Sequence, residues 1–97
     1  MAFVLHAGFS SAQLRTLPAN AKRATVGQQQ SMPLVELSSK VARLAPGGVI
    51  YDQNNRSIVH GALPPGADVI FTTDMNGDIA RIYILTPFEQ AQFDRKK

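Results

Sequence analysis

The chain has no cysteine, no tryptophan, only two histidines, and seven acidic residues among 97. Each shortage removes a class of protein. Without cysteine there are no disulfides, no thiolate metal sites and no cysteine nucleophile, which suits a reducing compartment and an exported protein equally well. His6 and His60 each lack a second ligand-type residue at metal spacing within their own segment, so the sequence offers no metal centre. The carboxylates are too scattered to suggest an acid–base pair, and neither a G-x-S-x-G elbow nor a phosphate-cradling glycine loop occurs. No apolar run approaches the roughly 18 residues that a membrane-spanning helix needs. The expectation is a protein that is not an enzyme and carries no cofactor.

The residues present describe an ordinary globular domain. Hydrophobic residues make up 44% and charged residues 18%, enough for one modest core. The net charge of +3 is spread over Arg15, Lys22, Arg23, Lys40, Arg43, Arg56 and Arg81, and only Arg95, Lys96 and Lys97 form a run. Such a terminal run reads as a solvated tail.

The strongest local signal is Val69 to Leu85, VIFTTDMNGDIARIYIL, where two β-rich runs flank Asn76-Gly77. A two-residue turn there pairs Phe71 with Ile82 and Val69 with Ile84, giving one apolar face. The opposite face, Ile70, Thr72, Asp74, Ile79, Arg81 and Tyr83, then suits solvent or a partner. A three-residue turn with Gly77 in a bulge would slip this register, so the two-residue turn is the expectation. Asp74, Asn76 and Asp78 have the D-x-N-x-D opening of a calcium loop. Glycine falls too early for that loop, and Leu85 stands where the bidentate glutamate belongs, so a polar hairpin tip is the better account.

Pro33 to Leu37 alternates as a strand, with Leu34 and Glu36 on one side and Val35 and Leu37 on the other. Ser39 to Leu44 fits helix or strand, and we take it as strand. Pro46-Gly47-Gly48 predicts a turn. Val49 to Asp52 and Ser57 to His60 form a second hairpin around Gln53 to Arg56, and Leu63-Pro64-Pro65-Gly66 forms a stiff turn. Thr86-Pro87-Phe88-Glu89 starts a helix running to Arg95, with threonine at the cap, proline in the first position and glutamate three residues on. Phe88 and Phe93 lie on roughly opposite sides of it, so the helix docks through one ring.

These runs predict a mainly β fold: a small antiparallel β-meander barrel or roll of about five to seven short strands with one C-terminal helix, Pro87 to Arg95. Residues 1–22 are expected to be a flexible N-terminal segment and residues 23–97 a single compact domain. No basic n-region opens that segment and His6 and Gly8 break its apolar run, so an ordered strand or a loose end is one reading. Its apolar start and small residues Ser10, Ser11 and Ala12 nonetheless resemble the end of a signal peptide. A periplasmic or secreted placement is therefore favoured over a cytoplasmic one. In general texture the chain resembles small bacterial envelope domains, with no motif that selects a family.

The functional expectation is a non-enzymatic binding module that holds a protein partner, or a second copy of itself, through a sheet face or strand edge. The candidate binding residues are Tyr51, Arg56, His60, Arg81 and Tyr83, taken as exposed aromatic and charged positions on strands. The rival is a small basic cytosolic barrel that binds nucleic acid through Tyr51, Phe71, Tyr83, Arg56 and Arg81. Its footprint is weak, because a charge of +3 and seven aromatic residues supply few phosphate contacts and few stacking platforms.

Overall fold

Alternation in Pro33 to Leu37 acts as predicted, with Val35 and Leu37 turned inward and Leu34 outward. The computed structural model describes residues 15–95. Its strands are β1 (Lys22–Thr25), β2 (Leu34–Leu37), β3 (Lys40–Tyr51), β4 (Ser57–Ile58), β5 (Asp68–Thr73) and β6 (Ile79–Ile84). A single 3-10 turn spans His60–Ala62, and helix α1 spans Pro87–Arg95.

The strand order is β1-β5-β6-β3-β2, with β4 beside β3. The sheet curls until its two edges meet at one bridge, Val26 to Leu37. There Gly27 N–H donates to Glu36 O at 2.8 Å and Ser38 N–H to Thr25 O at 2.9 Å. The fold is thus mainly β, a curled half-barrel with one C-terminal helix. One pairing departs from an antiparallel meander: β3 and β6 run parallel, so the sheet is mixed. The cause is the route of the chain. It leaves β3 through β4 and the 3-10 turn, returns as β5 beside β1, and β6 then fills the gap next to β3.

Inside the curl lies the main core, which includes Val35, Leu37, Leu44, Ile50, Val69, Ile79 and Ile82. A second cluster lies on the outer side of the sheet, where Ile70, Tyr83 and Leu85 sit under Leu17, Ala21, Tyr51 and Phe93. The helix therefore docks through Phe93, while Phe88 stays exposed. Thr86 and Glu89 form the reciprocal cap: Glu89 N–H donates to Thr86 Oγ1 at 3.1 Å, and Thr86 N–H donates to Glu89 Oε1 at 3.0 Å.

The β5–β6 hairpin corrects one expectation and recovers another. Its turn has three residues, with Gly77 at φ +83°, Gly77 N–H donating to Asp74 O, and Asp74 N–H donating to Asp78 O. Thr73 consequently faces Ile79, a one-residue slip from the two-residue register. A bulge between Thr72 and Thr73 absorbs the slip, so Phe71 faces Ile82 and Val69 faces Ile84 as expected. The same bulge lets Ile79 and Ile82 both face the core although they are three positions apart. Asp74 Oδ1 accepts from Asn76 N–H and Asp78 N–H, so the calcium-like spacing serves the turn itself. Asp52 repeats the device in the β3–β4 turn, accepting from Asn54 and Arg56 N–H with Asn55 at φ 64°.

Pro46-Gly47-Gly48 does not make the predicted turn. These residues stay within β3 as an outward bulge: Leu44 faces Ile79 and Val49 faces Arg81, so β3 carries three more residues than β6 over that stretch. Gly48 is close-packed there, since a Cβ would lie 2.7 Å from Leu44 Cδ1. The β2–β3 turn falls at Ser38-Ser39 instead, with φ of 51° and 72°, the sign pattern of a type I′ turn. Ser38 uses its hydroxyl to accept Thr25 N–H at 3.3 Å, whereas no bond to the Ser39 side chain offsets its left-handed backbone. Replacing Ser39 with glycine is expected to stabilise the fold by about 1 kcal/mol. Thermal unfolding checks this as a rise in Tm of about 4–8 °C.

Packing also begins earlier than the boundary at residue 22 expected from composition. Arg15, Leu17 and Ala21 lie against the outer side of the sheet. The expected signal remnant in residues 1–13 falls outside the described residues.

Candidate functional site

Of the five residues proposed from sequence, two come together. Tyr51 and Tyr83, facing each other across β3 and β6, stack with ring centroids 5.1 Å apart and planes at 18°. Tyr83 is buried rather than exposed, because α1 and residues 15–21 close over that part of the sheet. His60 is also buried, in the 3-10 turn rather than on a strand, with Nε2 2.7 Å from Leu34 O. Among the described contacts no bond links it to Asp52. Arg56 and Arg81 are exposed, Arg56 at the end of a turn and Arg81 in mid-strand.

The most elaborate polar centre is one the sequence reading missed. Arg15 Nε and Nη2 fork onto the two carboxylate oxygens of Glu89, each at 3.0 Å. Nη1 donates to Asp52 O at 2.6 Å and reaches Asn55 Oδ1 at 3.5 Å, while Nη2 also donates to Ile84 O at 2.6 Å. A guanidinium has five N–H donors, and all of them have partners here. Its carbon lies 5.6 Å from the Tyr83 ring centroid, so cation, Tyr83 and Tyr51 form a ladder. The pair is nearly dry, with side-chain exposures of 6% and 5%. This centre joins residues 15–21, the β3–β4 turn, the end of β6 and α1, and it engages every guanidinium N–H and both Glu89 carboxylate oxygens. Sequence could have hinted only at Glu89, through the cap motif.

The other acids also have partners, Asp52 through one of its two oxygens. Asp68 and Asp94 share Arg23, Asp78 pairs with Arg43 at 2.8 Å, Glu36 accepts from Gln30, and Asp52 and Asp74 hold their turns. Hydrogen bonds to Asp68 and then Asp94 push the Arg23 pKa above its ordinary value, and Asp78 does the same for Arg43, so both stay charged at any working pH. Among the described residues no group of three or more His, Asp or Glu is placed to hold a metal.

No protein-family model, curated protein or solved structure matches the chain. The remaining surface therefore has to speak through its own chemistry. The outer face of β2 and β3 carries Leu34 and Val41 as near neighbours, since Glu36 faces Val41 and Leu34 faces Arg43. Their exposures are 37% and 56%, and Met32 and Val59 stand out further at 69% and 74%. No sequence motif marks this patch. Its only signal is the outward alternation of Leu34.

Proposed function

We propose that this protein is a small non-enzymatic binding module whose working surface is the outer face of β2 and β3, and that it pairs there with a second copy of itself. The observation that carries this reading is the uneven cover of the barrel. The outer side of β5 and β6 is covered at Ile70, Tyr83 and Leu85 by α1 and Leu17, whereas Leu34 and Val41 on β2 and β3 stay exposed, as do Met32 and Val59. Exposed aliphatic residues gathered on one face are a liability unless a partner covers them.

Face docking is favoured over edge docking, because the strand edges are largely occupied. Leu34 N–H donates to Ser31 O, Leu34 O meets His60, and Glu36 O accepts Gly27 N–H. On β1, Thr25 O is taken by Ser38, and Lys22 and Arg23 guard the rest with charge. A second copy fits the patch because Glu36 and Arg43 share the face of Leu34 and Val41, so both signs of charge border it and a two-fold arrangement can set one against the other.

Molar mass measured by light scattering over a wide concentration range tests the reading. The wild-type chain is expected to approach twice its monomer mass at high concentration. Val41→Glu, at an exposed position, is expected to stay monomeric with unchanged circular dichroism. A wild-type chain that is monomeric throughout overturns self-pairing.

A second reading, the nucleic-acid-binding barrel, has one observation in its favour. The parallel β3–β6 pair, with β5 returning onto β1, matches the connectivity of the partly open five-stranded barrels known as OB-folds. It ranks second because the outer β2–β3 face bears aliphatics and the paired Arg43, not free aromatic rings. Affinity for single-stranded DNA or RNA that falls steeply with salt would move it to first place.

A further inference from the structure

Where the ends of β3 and β6 meet the start of α1 there is a cavity of about 500 Å³, within the size range of small-ligand sites. Its lining is largely apolar, with Ile58, Ala62, Pro64 and Ala67 the more accessible of the apolar residues. Its rim carries Asp52, Gln53, Asp68 and Gln90, and no Lys, Arg or His lines it. In a chain of net charge +3 that is an unusual lining.

The rim groups are pre-set as acceptors. Gln53 Nε2 donates to Leu85 O at 2.7 Å, which fixes the amide and leaves its carbonyl oxygen free. Asp52 spends Oδ1 on the two turn amides and keeps Oδ2 without a partner among the described residues. Asp68 is neutralised by Arg23, and the nearby Arg15 is spent on Glu89. Arg56, in the same turn as Asp52, does not line the cavity. The unspent charge at the rim is therefore one carboxylate oxygen, beside amide oxygen and above hydrocarbon.

We propose that this cavity is a binding site for a primary alkylammonium group, with an apolar stem on Ile58, Pro64 and Ala67 and its cationic head on Asp52 and Gln53. A lysine side chain and a free alkylamine both present that chemistry. The site is separate from the β2–β3 face and does not depend on self-pairing.

Amide NMR titration of the full chain with n-butylammonium, n-butanol and butyrate tests it. n-Butylammonium is expected to shift the signals of Gln53, Leu85 and Gln90 saturably, with a Kd on the order of millimolar. Butyrate is expected to leave them in place, and n-butanol to bind more weakly. Asp52→Asn keeps an oxygen for the turn amides while removing the charge, and is expected to weaken n-butylammonium about fivefold. Gln90→Ala, outside the turn, serves as a second variant and is expected to weaken it as well. Nα-Acetyl-lysine methylamide then separates the sources, since a free-amine site excludes its backbone and a side-chain site admits it. No shift at these residues, equal binding of n-butanol, or full affinity in Asp52→Asn would overturn the proposal.

Discussion

Glu89→Ala is expected to cost about 3–5 kcal/mol, because it strands the Arg15 guanidinium in a nearly dry site and removes half of the helix cap. Total stability for a domain of this size is about 5–15 kcal/mol, so the loss approaches unfolding. Thermal denaturation should show a fall in Tm of roughly 15 °C or more. Glu89→Gln keeps an acceptor for Thr86 N–H but not the charge, and should fall between wild type and alanine. The double replacement Arg15→Met with Glu89→Leu should recover much of the loss, because it removes the stranded charge along with its partner. If Glu89→Ala unfolded at the wild-type temperature, the ion pair would have no architectural role.

Tyr83→Ala should be nearly as damaging, at about 3–5 kcal/mol. Tyr83 is only 8% exposed, stacked on Tyr51 and covered by Arg15, so truncation opens a cavity beneath the helix. Denaturant unfolding should show the midpoint falling in Tyr83→Ala, while Arg81→Ala, at an exposed mid-strand position, changes it little. Because Arg15 and Tyr83 touch, the double variant should lose less than the two single losses combined. A binding defect in Tyr83→Ala with unchanged stability would restore Tyr83 to the role expected of an exposed residue.

The contrast between these residues shows which physics a sequence displays. Short-range signals survive: the Thr86 to Glu89 cap, the alternation around Val35 and the second hairpin all form where local chemistry places them. The Asn76-Gly77 hairpin keeps its register at Phe71 and Val69 only because two irregularities cancel, one in the turn and one at the bulge beside Thr73. Pro46-Gly47-Gly48 reads as a turn because proline and glycine disfavour strands. It stays in β3 because pairing with β6 holds at Leu44 and resumes at Val49, so the extra residues bulge outward between two paired stretches. Arg15 was invisible for another reason. Its partner lies 74 positions away, and its segment, poor in large apolar residues, has the composition of a linker. Tyr83 and His60 looked exposed because alternation separates faces without saying which face another element will cover. The β2–β3 patch was hidden for the same reason: its prominence comes from what α1 leaves bare.

The most direct test of the proposed function is a concentration series of amide NMR spectra on the wild-type chain. Self-pairing through the β2–β3 face predicts that signals of residues 34–36 and 41–43 shift or broaden as concentration rises, while those of α1 and the β5–β6 turn stay fixed. Spectra that do not change with concentration, or changes centred on α1, would contradict it.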